Sequence, residues 1–196
     1  MFQNFTKKSK KKSHRSNRGR KNFKEAPSSR KNREIKKVVK KAQTQALSTR
    51  DLYTVLQGVK NFVGIFASDR LKFTSIDQFP IFLIVNLDPS YLPGSHWVAI
   101  RIGSKYLEIF DSLGFKPRLW PTFPKPLLNF LASFSKSHNF IISPVIQQSN
   151  TYDCGLFCIL YILLRQTNPF SKVVAPFSKN LVENQKILYH ILLKKI

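Results

Sequence analysis

Apolar and polar positions give the chain two textures. Up to Leu47 large apolar residues are sparse among Lys, Arg, Ser and Asn, whereas from Ser48 onward apolar runs of element length recur. Ile81-Phe82-Leu83-Ile84-Val85-Asn86-Leu87, bounded by Pro80 and by Asp88-Pro89-Ser90, has the length and β-branched content of a buried strand. Trp97 to Ile102 and Tyr106 to Phe110, separated by Gly103-Ser104-Lys105, predict a β-hairpin. Phe140 to Ile146, interrupted by Pro144, predicts an edge or short strand. Helical spacing predicts a first helix from Ser48 or Thr49 to Leu56, ended by Gly58, and an amphipathic surface helix over Leu127 to Phe134. Cys154 to about Gln166 is apolar nearly all round, so it predicts a helix buried in the middle of the domain. Lys179 to Lys195 predicts a last helix with Leu181, Ile187, Leu188, Ile191 and Leu192 near one face. Strands and helices mix without βαβ alternation, which points to an α+β domain.

Composition divides the chain at the same place. Of 33 Lys and Arg against 10 Asp and Glu, 17 basic residues and only Glu25 and Glu34 lie in residues 1–47, a net +15, and the remainder carries +8. Residues 1–47 are therefore expected to be a basic disordered tail, and 48–196 a single domain with enough of the 42% apolar share to form a core. Ile35 to Ala46 would become a short helix only if something docks it. Lys7, Lys8, Lys10, Lys11, Lys12, Arg15, Arg18, Arg20 and Lys21 are the candidate nucleic-acid contacts or nuclear-entry patches, with a solubilising tail as the plain alternative. Each phosphate contact would add ~0.9 to the log–log salt slope on duplex DNA. Two cysteines spaced by four suit neither a disulfide framework nor, without a nearby histidine pair, a metal site, so a reducing compartment and no metal are expected. The Lys-rich start lacks the apolar run of a signal peptide, and the longest apolar stretch, Leu156 to Leu164, is short for a bilayer. No membrane partner is expected.

The candidate chemistry centres on Cys154, at the junction between a polar loop and the buried helix. A helix N-terminus presents unpaired N–H groups and positive partial charge, the setting in which a thiolate is stabilised. His96 opens the first strand of the hairpin and Asp111 follows the second, so antiparallel pairing places the two side by side as a base and its orienter. Gln147 or Gln148 can supply an amide donor to an oxyanion, with the N–H of Cys154 as a second donor. Each residue has a plainer reading: Cys154 as a small core residue, His96 as a lone histidine before a strand, Asp111 as a turn residue. Cys158, one turn into the helix, is expected to pack inertly, and His14, His138 and His190 to be structural or solvated.

The ordered set is more specific than its members. His96-Trp97, then Phe110-Asp111-Ser112-Leu113-Gly114, then Gln148 six residues before Cys154, then Asp153-Cys154-Gly155 resembles the cysteine protease superfamily of the SUMO-specific proteases and the adenovirus protease. Leu56-Gln57-Gly58, Phe62 to Phe66, Ile84-Val85-Asn86 and Gly94 add similarity to the viral branch. The resemblance implies a papain-like (adenain-like) α+β fold, with a small mixed sheet against a buried central helix and flanking helices. It implies a cysteine endopeptidase with Cys154 as nucleophile, His96 as base, Asp111 as orienter and Gln148, in preference to Gln147, as oxyanion donor. Trp97 would narrow the substrate channel, favouring glycine before the scissile bond. The substrates it implies are capsid or core precursors of a DNA virus or virus-like element, cleaved in the host nucleus and virion by a monomer. DNA, held by the basic tail, is a candidate activator. The stretch Phe134 to Gln147 has no cysteine, so no disulfide-linked peptide activator and no tightly bound cofactor are expected. Processing of ubiquitin-like modifiers is the alternative activity, and a catalytically idle DNA-packaging protein the alternative of another class.

Overall fold

The computed structural model describes residues 27–71, 78–114, 123–147 and 151–194. Five strands form one mixed sheet in sequential order: β1 (Phe62–Ala67), β2 (Ile81–Asn86), β3 (Trp97–Ile102), β4 (Tyr106–Phe110) and β5 (Asn139–Ile142). The outer pairs, β1 with β2 and β4 with β5, are parallel, whereas β2, β3 and β4 are antiparallel. Among the described residues six α-helices accompany it: α1 (Pro27–Ala42), α2 (Thr49–Leu56), α3 (Lys125–Ala132), α4 (Cys154–Arg165), α5 (Phe170–Val174) and α6 (Leu181–Lys194).

Strand alternation sends side chains into two cores. Phe82, Ile84, Trp97, Ala99 and Phe110 face α4, α2, α1 and α6, and Ile81, Leu83, Val85, Val98, Ile100, Leu107 and Ile109 face the opposite way, where Leu127 and Leu131 of α3 cover them. Burial on both faces is why β2 reads as a continuous apolar run rather than an alternation. The expected strand, hairpin and central helix are all present, and the expected surface helix is α3, a cover for the second face. Two elements had no expectation in sequence, β1 and the five-residue α5.

The expected boundary at Ser48 needs correction for residues 27–47. These residues are part of the folded body: α1 buries Ile35, Val38, Val39 and Ala42, and Leu47 is buried beside them. Fully burying an aliphatic side chain contributes roughly 1.5–3 kcal/mol, so Ile35, Val38 and Val39 together offset part of the ordering cost of this Lys-rich helix. The Lys41 ammonium also meets the Asp51 carboxylate at 2.6 Å, joining α1 to α2. Asp51 closes a capping box with Ser48 at the start of α2. Residues 1–26, with the candidate contacts Lys7 to Lys21, lie outside the described residues.

The C-terminal part of α4 is fastened to the sheet by a buried charge cluster. Glu108 of β4, 1% exposed, accepts from Arg165 through both carboxylate oxygens at 2.8 Å, from Arg101 at 2.9 Å and from the Tyr161 hydroxyl at 2.8 Å. Burial, reinforced by the Glu108 charge, pushes the Tyr161 hydroxyl well above its ordinary range, so it remains a donor. The nucleophile candidate thus begins a helix whose far end is locked. Among the described residues, no helix is long and apolar enough to cross a membrane.

Candidate active site

β2 and β3 align Asn86 with Trp97, and β3 and β4 align Ala99 with Phe110, so the residues just outside these pairs, His96 and Asp111, emerge at the same end of the sheet. His96 Nε2 lies 2.7 Å from Asp111 Oδ1, the juxtaposition that the hairpin spacing predicts. With Nε2 committed to the carboxylate, Nδ1 is the nitrogen left for a second partner. The Cys154 side chain is the ring's other electrostatic partner, favouring the protonated imidazole. Burial by itself pushes the His96 pKa down, but the hydrogen bond to Asp111, the contact with Cys154 and the charges of both outweigh it and raise the value from 6.5 to about 9. The imidazole is accordingly set to be imidazolium at neutral pH.

The carboxylate is itself held in place. Asp111 Oδ1 also accepts the Leu113 N–H at 3.0 Å, the Asp111 N–H donates to Ser143 Oγ at 2.9 Å, and the Ser143 hydroxyl donates to the Asp111 carbonyl at 2.6 Å. The Ser112 carbonyl accepts the N–H groups of Ile146 and Gln147, each at 2.9 Å. The turn carrying the acid and the segment leading to Cys154 are therefore one hydrogen-bonded unit.

Cys154 is the first residue of α4, as the sequence predicts, and is 7% exposed. Gly155 lets the start of α4 approach its neighbours, because a Cβ there would stand 3.1 Å from Leu47 and 3.2 Å from Leu52. Cys158 is fully buried, donates weakly to the Trp97 carbonyl at 3.4 Å and, chiefly through burial and then through the Cys154 and Asp111 charges, has its thiol pushed well above the usual range. That is the profile of an inert packing residue. Neither cysteine is in a disulfide.

The two glutamines separate. Gln147 is 4% exposed; its Oε1 accepts the Ser112 hydroxyl and its Nε2 donates to the carbonyl and hydroxyl oxygens of Thr151, both at 3.2 Å. Its amide therefore spans the loop before Cys154, and its donors are engaged within that loop. Gln148 lies outside the described residues.

A cavity of about 280 Å³ lined by Leu47, Ser48, Gly94, Ser95, Trp97 and Cys154 leads to the sulfur. A second cavity shares Thr49, Asn86, Pro93 and Trp97 with the first and is bordered also by Phe66, Ser90 and Leu92. Trp97 forms a fixed wall, since its indole N–H donates to the Leu47 carbonyl at 2.9 Å. Gly94, at φ +99°, is required by the opposite wall, because a Cβ would meet Asn86 Nδ2 at 2.1 Å. The α1–α2 connection thus borders the channel, a part of the site absent from the sequence reading; the signal was the isolated Leu47 at the end of the basic run. Among the described residues, no group of three or more His, Cys, Asp or Glu side chains is arranged to hold a metal ion. His138 is structural, joined to the Gly103 carbonyl at 2.8 Å.

A search of curated proteins finds no match. Among solved structures, a protease of ASFV aligns with TM-score 0.44 and 18% identity over 76% of this chain and 68% of its own. The Chlamydia trachomatis effector protein Cdu1, solved bound to ubiquitin, aligns with TM-score 0.42 and 18% identity over 85% and 76%. The C-terminal protease domain of yeast Ulp1, solved with the SUMO ortholog Smt3, aligns with TM-score 0.31 and 18% identity over 84% and 75%. The pattern of the Ulp1 protease family, C-terminal catalytic domain, matches residues 70–187 and so takes in His96, Asp111 and Cys154. With more than half the chain matched, this protein belongs to the Ulp1 protease family and is a cysteine peptidase.

Proposed function

We propose that the protein is an endopeptidase in which Cys154 is the nucleophile, His96 its base and Asp111 the orienter, cleaving after glycine in the capsid or core precursors of a DNA virus or virus-like element. The observation that carries this reading is the 2.7 Å His96–Asp111 pair with Cys154 as the ring's other partner, beside a cavity lined by Cys154, Trp97 and Gly94. With its proton passed to His96 beforehand, the Cys154 sulfur attacks the scissile carbonyl, and the His96 imidazolium gives its proton to the leaving amine. The Cys154 N–H, at the unpaired first turn of α4, and the Gln148 amide hold the oxyanion. Water then hydrolyses the acyl-enzyme. Only side chains and water enter these steps, and no cofactor is invoked. A fixed indole beside the nucleophile leaves little width for a substrate side chain, which supports glycine at the cleaved position.

In this reading the enzyme acts as a monomer in the host nucleus and virion, held on DNA by Lys7 to Lys21. The exposed Lys36 and Lys40 of α1 add to the same charge. A second reading, processing or deconjugation of a ubiquitin-like modifier, is favoured by the Ulp1-family match itself. The test incubates the protein and a Cys154→Ala variant with glycine-containing precursor-type peptides and with SUMO and ubiquitin fusions, with and without duplex DNA. Peptide cleavage stimulated by DNA and lost in Cys154→Ala supports the first reading. DNA-independent cleavage confined to a fusion supports the second, and turnover persisting in Cys154→Ala would overturn the nucleophile.

A further inference from the structure

Asp153 stands immediately before the nucleophile candidate, yet it does not do what an aspartate at a helix start usually does. An N-cap aspartate has extended backbone and accepts an N–H of the first turn. Asp153 instead has φ −83° and ψ −5°, and its side chain makes no capping hydrogen bond. It is 1% exposed, and a buried carboxylate needs partners. Both oxygens find them on α6: Oδ1 accepts the Tyr189 hydroxyl at 2.8 Å and Oδ2 accepts Gln185 Nε2 at 2.6 Å. Burial, with the Asp153 hydrogen bond and charge added to it, pushes the Tyr189 hydroxyl far above its ordinary value, so it stays a donor throughout the working pH range.

The same turn of α6 holds the other end of the loop. Asn184, fully buried, donates through Nδ2 to the Ile146 carbonyl at 3.1 Å and to the Ser178 carbonyl at 2.8 Å, and accepts the Ser178 N–H at 2.9 Å. Leu188 and Leu192 of α6 enter the core that contains α4, which fixes the helix bearing these polar groups. Ile146 and Asp153 are thus both held by one helix, whose polar side chains have no assigned role in the sequence pattern.

We propose that Gln185 and Tyr189 are positioning residues for the reaction: by gripping Asp153 they set where the Cys154 sulfur stands relative to the His96 ring. The proposal rests on Cys154 as the nucleophile. His96 is carried by the hairpin, which meets the segment before Cys154 through Asp111, Ser112 and Ser143, whereas α6 grips the Asp153 carboxylate, so the sulfur–imidazole distance depends on the α6 attachment as well as on the hairpin. Releasing Asp153 lets the first turn of α4 shift while leaving the base and the substrate channel in place.

The test uses the full chain with Tyr189→Phe, Gln185→Leu and their combination. Three quantities are read on each: the rate constant for iodoacetamide alkylation of Cys154, with Cys154→Ala as blank; kcat and KM on the substrate that the wild type cleaves; and the urea midpoint. Tyr189→Phe is expected to lower alkylation and kcat about tenfold with little change in KM, and the double variant about a hundredfold, the scale of an ~1 Å misplacement. Asp153→Asn should lose activity similarly, and Asp153→Asn with Gln185→Glu should regain most of it, because donor and acceptor exchange places. A lowered urea midpoint with alkylation and kcat near wild type would overturn the proposal and leave a purely structural contact. Tyr189→Phe removes one oxygen atom, so it decides the matter if the double variant does not fold. Alkylation needs no substrate, so a wild type whose thiol reacts but which cleaves nothing counts against the proposed substrates and leaves this test intact.

Discussion

The base and the nucleophile are held by different kinds of structure. His96 and Asp111 sit at the ends of β3 and β4, where a backbone ladder buried on both faces determines their approach. Cys154 sits at the end of a loop whose position comes from individual side chains: Ser143 and Gln147 on one side, Asn184, Gln185 and Tyr189 on the other. A ladder spreads its energy over many bonds, so a single substitution barely moves it. A loop held by side chains can be displaced by losing one atom. The lesson is that the base side is robust and the nucleophile side is adjustable, which is where variation in such a site should act.

The largest effect should come from removing the reacting atom. Cys154→Ala is expected to abolish turnover, by a factor on the order of 10⁶, while leaving the urea midpoint close to wild type, because the residue packs as a small core side chain. Asp111→Asn tests the ladder side: the hairpin should keep its geometry, but the ring loses the anion that orients it, and kcat should fall by about 10²–10⁴. A fall equal to that of Cys154→Ala with a collapsed fold would show that the hairpin is not independent of the carboxylate. Glu108→Gln tests the anchor beneath α4. Two arginines would be left without their counter-charge, costing about 3–5 kcal/mol in urea unfolding, whereas kcat at low temperature should be little changed.

Gln147→Leu sharpens the loop side. It leaves the buried Ser112 hydroxyl without its acceptor and unties Thr151, at about 1–3 kcal/mol of stability, with a larger loss in kcat than in KM. The smallest effect belongs to the α1 attachment. Lys41 and Ser48 hold the Asp51 carboxyl below its ordinary range against the opposing effect of burial, so its contribution is present above pH 3.8 and is lost as pH falls through the lowered value. Lys41→Ala should therefore cost about 1 kcal/mol or less at neutral pH and flatten the acid limb of stability measured by circular dichroism.

The same contrast explains what was legible in the sequence. Apolar runs of element length bounded by turn residues reveal elements, so β2, the β3–β4 hairpin and α4 could be read directly, and with them the meeting of His96 and Asp111. α1 was hidden because its buried face is only Ile35, Val38, Val39 and Ala42 within a Lys-rich run that taken alone reads as solvated. β1 was hidden because Gly64 and a register shift beside it break the alternation. The hydrogen bonds of Gln147, Gln185 and Tyr189 leave no periodic trace, since a polar side chain that reaches across the fold looks in sequence like one that faces water. Order of motifs identified the chemistry; it did not identify what holds the chemistry in register.

The account depends most on His96 being held as a charged partner between Asp111 and Cys154, and proton NMR of the four histidines tests this directly. In the wild type one imidazole, assigned to His96 by its loss in His96→Ala, is expected to titrate at about 9, so protonation stabilises the fold below pH 6.5 and that stabilisation is lost as pH rises through about 9. In Asp111→Asn the same resonance should titrate well below 9. A wild-type His96 titrating at 6.5 or lower, unmoved by Asp111→Asn, would contradict the paired site.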